Sequence, residues 1–222
     1  MRSLRKAESE RLNSCAPPGG CPASLLIILL TGALAFLASA AAPWPSLRGS
    51  LSIHDPSTVI KCKDKYYVFG TSTTGGLVAS KSSTDRVFWS SGPAVFSSAP
   101  TWVTNAVPGA NRVFGAPDII YLNGQYYLYY IVSIIGTQTS AVGLATSPTL
   151  DPSDPSYAWT DRGPVLVSSA ADPYNALDPS LTLDASGNLW MAFGSYWGGL
   201  YLVQLSTATG LRIAANSPTY PL

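Results

Sequence analysis

Residues 175–205, NALDPSLTLDASGNLWMAFGSYWGGLYLVQL, decide the fold. An Asp-Pro corner (Asp178-Pro179) leads into a β-type run at 180–183, a tight turn at 184–188, and two more β-type runs at 189–196 and 200–205. Three short strands joined by polar turns read as an antiparallel meander. The acidic corner recurs upstream as His54-Asp55-Pro56-Ser57 and as Ala116-Pro117-Asp118-Ile119. Counted on the aspartates, the repeat is 63 residues (55 to 118) and then 60 (118 to 178). An evenly spaced unit of four short strands predicts propeller blades rather than a helical solenoid.

Working outward, unit one spans about 52–100, with strands expected at 57–61, 66–71, 76–81 and 88–96 and turns at 63–65 and 73–75. Unit two spans about 115–168, with strands at 118–122, 125–133, 141–146 and 159–167; its Asn123-Gly124 pair is a hairpin signal because both residues tolerate positive φ. Unit three spans about 176–222, and its tail, 211–222, supplies at best part of a fourth strand. The aromatic runs Tyr66-Tyr67-Val68-Phe69 and Tyr126-Tyr127-Leu128-Tyr129-Tyr130 are expected to fill the wedge between neighbouring sheets rather than to stack on sugar. The fold class is therefore all-β. Three blades cannot close a ring, so the chain is expected to be the N-terminal part of a larger propeller.

Composition agrees: 46% of residues are hydrophobic, only 11% are charged, and Gly (19) and Pro (18) are plentiful, as a turn-rich β fold with a real core requires. No run has the pattern of an amphipathic helix, and no phosphate-binding glycine loop occurs. Residues 1–40 are a separate matter. A leader with Arg2, Arg5, Lys6 and Arg11 precedes an apolar run at 25–37, and Ala38-Ser39-Ala40 offers a small-x-small cleavage site, as in a secretory signal. A retained anchor is the rival reading, but the run is short beside the ~20 residues of a bilayer span. Without that leader, nine Lys/Arg face ten Asp. A nearly neutral surface argues against nucleic acid or a membrane as partner once the signal is cleaved. Cys62 then stands alone, which excludes an internal disulfide framework or a cysteine-based zinc site.

In a propeller the first strand of each blade starts near the axis, so Asp55, Asp118 and Asp178 are expected to converge on one pocket. Asp-Pro is also ordinary turn chemistry, with the carboxylate capping backbone amides. Asp151, Asp154 and Asp172, each followed by Pro, are read that way.

The corners HDPS and APDI, with SAVGLATS (140–147), NALDPS (175–180) and MAFGSYWGGL (191–200), occur in an order that resembles the five-bladed β-propeller enzymes of glycoside hydrolase family 43, and within it the endo-acting α-1,5-L-arabinanases. The resemblance covers about 150 residues. It implies a secreted enzyme, monomeric when complete, that hydrolyses arabinan with inversion. Asp55 would be the general base and Asp178 would raise the pKa of the general acid. That acid is a fourth-blade glutamate in the family, and this sequence holds no glutamate after Glu10, so the 222 residues alone are expected to be inactive. Trp102 matches a sugar-stacking aromatic, and Phe114, Asn175 and Ser195 match positions lining the pocket. His54 would orient Asp55 or merely pack, and Asp118 would be structural or cleft-lining. Gly115 stands where the family usually carries Trp, which is expected to open part of the cleft wall. No cofactor is needed for acid/base chemistry; the family often holds an axial ion such as Ca2+, largely through a histidine of the last blade. An exo-acting arabinofuranosidase or β-xylosidase of the family and a non-catalytic carbohydrate-binding propeller are the alternatives. A fructosidase lacks support, since Ser57 follows Asp55-Pro56 where that group has NDPNG.

Overall fold

A computed structural model describes residues 45–72, 77–109 and 112–222, all within the unit Trp44–Leu222. The signal at 1–40, the turn at 73–75 and Gly76 fall outside the described residues.

Three sheets form in chain order. The first comprises β1 (Arg48–Gly49), β2 (Ile60–Cys62), β3 (Lys65–Gly70), β4 (Ala79–Ser83) and β5 (Phe88–Ser91), ordered β1-β5-β4-β3-β2. The second is the meander β6 (Arg112–Leu122), β7 (Gln125–Ile134), β8 (Ser140–Ser147) and β9 (Thr160–Ser168). The third is β10 (Ser180–Leu183), β11 (Leu189–Ser195), β12 (Gly199–Leu205) and β13 (Thr219–Pro221). The expected strand order holds, and the tail does supply a short fourth strand. Asn123 (φ 49°) and Gly124 (φ 78°) make the β6–β7 hairpin as their type requires. Two features carried no sequence pattern: β1 pairs in parallel with β5, and the four-residue helix α1 (Val103–Ala106) bridges sheets one and two.

Sheet two is buried on both faces, and the period-two alternation of β7 shows how. Tyr126, Leu128, Tyr130 and Val132 pack in one cluster with Tyr67 and Phe69 of β3 and with Val78 and Val95 beside sheet one. Tyr127, Tyr129 and Ile131 pack in another with Leu189, Met191, Phe193, Tyr201 and Val203 of sheet three. One strand thus fills both inter-sheet wedges, as the aromatic runs predicted. Buried tyrosines need a partner for the hydroxyl. Tyr129 donates to the Gly210 carbonyl (2.6 Å) and Tyr130 to Asp161 (3.1 Å).

The repeat is registered on proline. Asp55, Ala116 and Asp178 each precede a proline and each has positive φ (46°, 35° and 52°). These three are the equivalent positions, spaced 61 (55 to 116) and 62 residues (116 to 178) apart. Asp118 therefore corresponds to Ser57 and Ser180, two residues past the corner, and does not share the position of Asp55 and Asp178. The reason is the bulge between Gly115 and Asp118 in the β6–β7 ladder, which throws Ala116 out of register and turns Asp118 inward. Asp118 is 6% exposed; its Oδ1 accepts the Thr58 amide (3.1 Å) and its Oδ2 the Leu181 amide (2.8 Å). One carboxylate of sheet two thus holds the leading segments of sheets one and three.

Removing that acceptor strands two backbone donors. Asp118→Ala is expected to lower unfolding free energy by roughly 3 kcal/mol, with Asp118→Asn intermediate because one oxygen remains. Urea denaturation measures this, and wild-type stability in Asp118→Ala would show the clamp to be idle.

Candidate active site

Hydrogen bonding separates the aspartates by role. Asp85, Asp151, Asp154, Asp161, Asp172 and Asp184 each accept a backbone amide of their own turn. This is the turn chemistry expected for Asp151, Asp154 and Asp172. Asp161 also accepts from Trp102 and Tyr130, and Asp154 from Lys63, and the Asp184 pKa falls to about 2, chiefly through the Asn188 side chain. Asp64, exposed in the turn at 63–64, accepts no hydrogen bond among the described residues; Asp55 and Asp178, at the Asp-Pro corners, also differ from the six. Asp55 Oδ2 is met only by side chains: the Thr71 hydroxyl donates to it (2.8 Å) and His54 Nδ1 lies 2.7 Å away. Asp178 accepts no hydrogen bond among the described residues.

Both carboxylates face a hollow of about 210 Å3 made solely by the three corners, Asp55-Pro56, Ala116-Pro117 and Asp178-Pro179. Each corner holds a non-glycine residue at positive φ, a strain of about 1–3 kcal/mol apiece that a fold retains where geometry is being imposed. Ala116 puts a methyl where the other two corners put charge, so the pocket carries two carboxylates and not three. Asp178 keeps an exposed edge, yet the protein beneath it desolvates the carboxylate, and the Asp55 charge adds repulsion. Both effects push its pKa above the ordinary carboxylate range, desolvation more strongly.

Asp55 also lines a larger, mainly apolar cavity of about 560 Å3, whose wall includes His54, Thr71, Ile135, Leu177, Tyr196 and Trp197. Tyr196 (81% exposed) and Trp197 stand edge to face with ring centroids 6.0 Å apart, offering apolar surface at the rim. Sequence reasoning passed over Tyr196, Trp197 and Thr71. The SYWGG turn carried a hint, in two adjacent aromatics flanked by glycines that cannot both be buried in a strand. Two further hollows, around Pro164 and Arg212 and around Gln125 and Arg162, have no acidic residue in their walls.

Asn175 also lines the larger cavity but is fully buried, with Oδ1 accepting from Ser168 (3.3 Å). Ser195 has a buried hydroxyl with no hydrogen-bond partner among the described residues. Trp102 and Phe114 lie elsewhere. The Trp102 indole donates to Asp161 (3.2 Å) and packs near Tyr130, while Phe114 (8% exposed) sits in the core between sheets one and two. Neither borders the two cavities. Gly115 leaves no gap, because Thr71 fills the space a side chain would take. Among the described residues, no group of three or more His, Cys, Asp or Glu side chains is arranged to hold a metal ion, so the residues present do not make the axial ion site that the resemblance implies.

A carboxyl whose pKa is higher folded than unfolded binds its proton more tightly in the folded state, so its ionisation costs stability as pH rises through that window. Asp178→Asn is therefore expected to raise Tm at pH 7, with the gain shrinking as pH drops below the folded pKa. A pH-independent difference in Tm would contradict the desolvated, repelled carboxylate.

Comparison with known proteins identifies the family. The family "Glycosyl hydrolases family 43" matches residues 49–218. The extracellular endo-α-(1→5)-L-arabinanase 1 of Bacillus subtilis (strain 168) is 43% identical over 159 residues, covering 71% of this chain and 47% of its own length. An extracellular exo-α-(1→5)-L-arabinofuranosidase of Cellvibrio japonicus (strain Ueda107) is 40% identical over 157 residues, covering 70% and 44%. Among solved structures, the endo-arabinanase of Bacillus licheniformis superposes with a TM-score of 0.70 at 38% identity over 78% of this chain and 57% of that one. The Cellvibrio cellulosa α-L-arabinanase complexed with arabinohexaose gives 0.70 at 36% identity, over 76% and 52%. The chain spans about half the length of the relatives it matches. With its corner geometry and this breadth of likeness together, the chain belongs to glycosyl hydrolases family 43.

Proposed function

We propose that these sheets are three blades of a five-bladed propeller and carry the base side of a secreted, inverting endo-α-1,5-L-arabinanase. The observation behind this reading is the pair Asp55 and Asp178 in one pocket, the only two corner carboxylates not committed to backbone amides. Asp55 takes a proton from water as the water oxygen bonds to the anomeric carbon. The glycosidic bond breaks on the opposite face, and the departing oxygen receives a proton from a carboxylic acid. An inverting pair needs roughly 6.5–9.5 Å between base and acid to admit that water. Asp55 and Asp178 cannot fill both roles, because Asp178 belongs beside the acid: its charge keeps a neighbouring carboxyl protonated, the effect Asp55 already exerts on Asp178. The sequence after Glu10 has no glutamate, so the acid lies outside these 222 residues and the chain alone is inactive.

Arabinan, a neutral polysaccharide, suits the cavity. Tyr196 and Trp197 present apolar ring surface to a sugar face, with Asp55 in the same cavity wall. Secretion accords with the relatives named extracellular. The exo-acting relative keeps a second reading alive, and product size separates the two.

In the full-length protein, Asp55→Asn is expected to cut hydrolysis of linear arabinan by about 10²–10⁴ while Tm stays near wild type. Wild-type protein is expected to release mixed oligosaccharides early. Arabinose alone would favour exo action, and near-normal turnover in Asp55→Asn would remove Asp55 as the base.

A further inference from the structure

Thr71 directly follows β3 and forms an isolated antiparallel bridge with His54, and its hydroxyl stands between two sheets. Its oxygen accepts the Ala116 amide of sheet two at 2.8 Å. The hydroxyl has a single proton, and with one lone pair engaged by Ala116 that proton points to Asp55 Oδ2, also at 2.8 Å. The Thr71 amide is fixed in turn by the His54 carbonyl (2.8 Å). The residue is therefore held at its backbone and oriented at its side chain, with one direction left to donate.

Its placement depends on a residue far away in sequence. A Cβ built on Gly115 would lie 2.0 Å from Thr71 Oγ1 and 2.5 Å from Thr71 Cα and Cβ. Only glycine at 115 lets Thr71 approach closely enough to accept from Ala116.

We propose that Thr71 is a positioning residue for Asp55, seated by Gly115, which fixes the carboxylate plane and leaves Oδ1 as the oxygen that takes the proton from water. This rests on the reading of Asp55 as general base. Oδ2 is already occupied by Thr71 and His54, whereas Oδ1 has no donor among the described residues. A carboxylate free to turn about its last bond would offer either oxygen and would lose part of the alignment that positioned catalysis supplies. The Ala116 contact also ties the base on sheet one to the corner of sheet two, so its position follows the packing of the two sheets.

The test compares Thr71→Val, nearly the same shape without the hydroxyl, with Thr71→Ser, which keeps it, in the full-length protein. Thr71→Val is expected to lower kcat on linear arabinan by roughly tenfold or more with KM within about twofold, since the lost effect is alignment of the base and not sugar binding. Thr71→Ser is expected to recover kcat to within about threefold. Gly115→Ala, which displaces Thr71 without removing its hydroxyl, should resemble Thr71→Val. The Asp55 carboxyl carbon signal in 13C-labelled protein reads the same contact without activity: it should move in Thr71→Val and in Gly115→Ala but hold in Thr71→Ser. Wild-type kcat in Thr71→Val, or equal damage in Thr71→Ser, would overturn the proposal. If wild-type protein did not hydrolyse arabinan, the functional reading would fail by itself. The carboxyl signal would then decide the Thr71–Asp55 contact, and an unmoved signal in Thr71→Val would overturn it.

Discussion

The site depends on the two hydrogen bonds that the buried Asp118 carboxylate accepts from the backbones of Thr58 and Leu181. Hydrophobic packing between sheets is strong but weakly directional: the clusters on either face of β7 would tolerate small slides of one sheet on another. An acceptor with a donor on each side tolerates much less, because losing either bond leaves an oxygen of the buried Asp118 side chain without its partner. Thr58 lies three residues after Asp55, and Leu181 three after Asp178. Fixing those two amides on one side chain therefore constrains the distance between the two Asp-Pro corners.

The three corners then divide the labour. They share proline, positive φ and a place around one hollow, and differ in the side chain. Asp55 accepts the Thr71 hydroxyl and lies beside His54, Ala116 contributes only a methyl group and an amide, and Asp178 is left desolvated and repelled. Identical geometry with unlike chemistry is how a repeat architecture builds an asymmetric site. In the proposed function, the carboxylate held by Thr71 serves as the base, and the one without a donor acts through its charge.

Much of this was legible in the sequence. The strands of sheets two and three follow from alternation and turn residues, Asn123-Gly124 marks its hairpin, and the aromatic runs declare their place between sheets. The repeat was visible, but counting on aspartate put Asp118 in the wrong register, because the carboxylate is the variable part of the corner and proline the constant part. Strand β1 was illegible for a different reason: two residues in parallel pairing leave no period to detect. Gly115 could be seen as a departure, yet not that Thr71 occupies the space, since that contact joins residues 44 positions apart (71 to 115) through packing alone. The aromatic rim at Tyr196 and Trp197 was hidden because a tight turn, not a strand, presents it.

The central claim of the proposed function is that the Asp55 and Asp178 corners form one site that acts on arabinan. It is tested most directly by a crystal structure of the full-length Asp55→Asn variant with a linear arabino-oligosaccharide. The account predicts one arabinose ring over the Ala116 methyl, flanked by the side chains at 55 and 178, with the chain continuing past Tyr196 and Trp197. An oligosaccharide bound elsewhere, with the hollow between the three prolines holding only solvent, would contradict it.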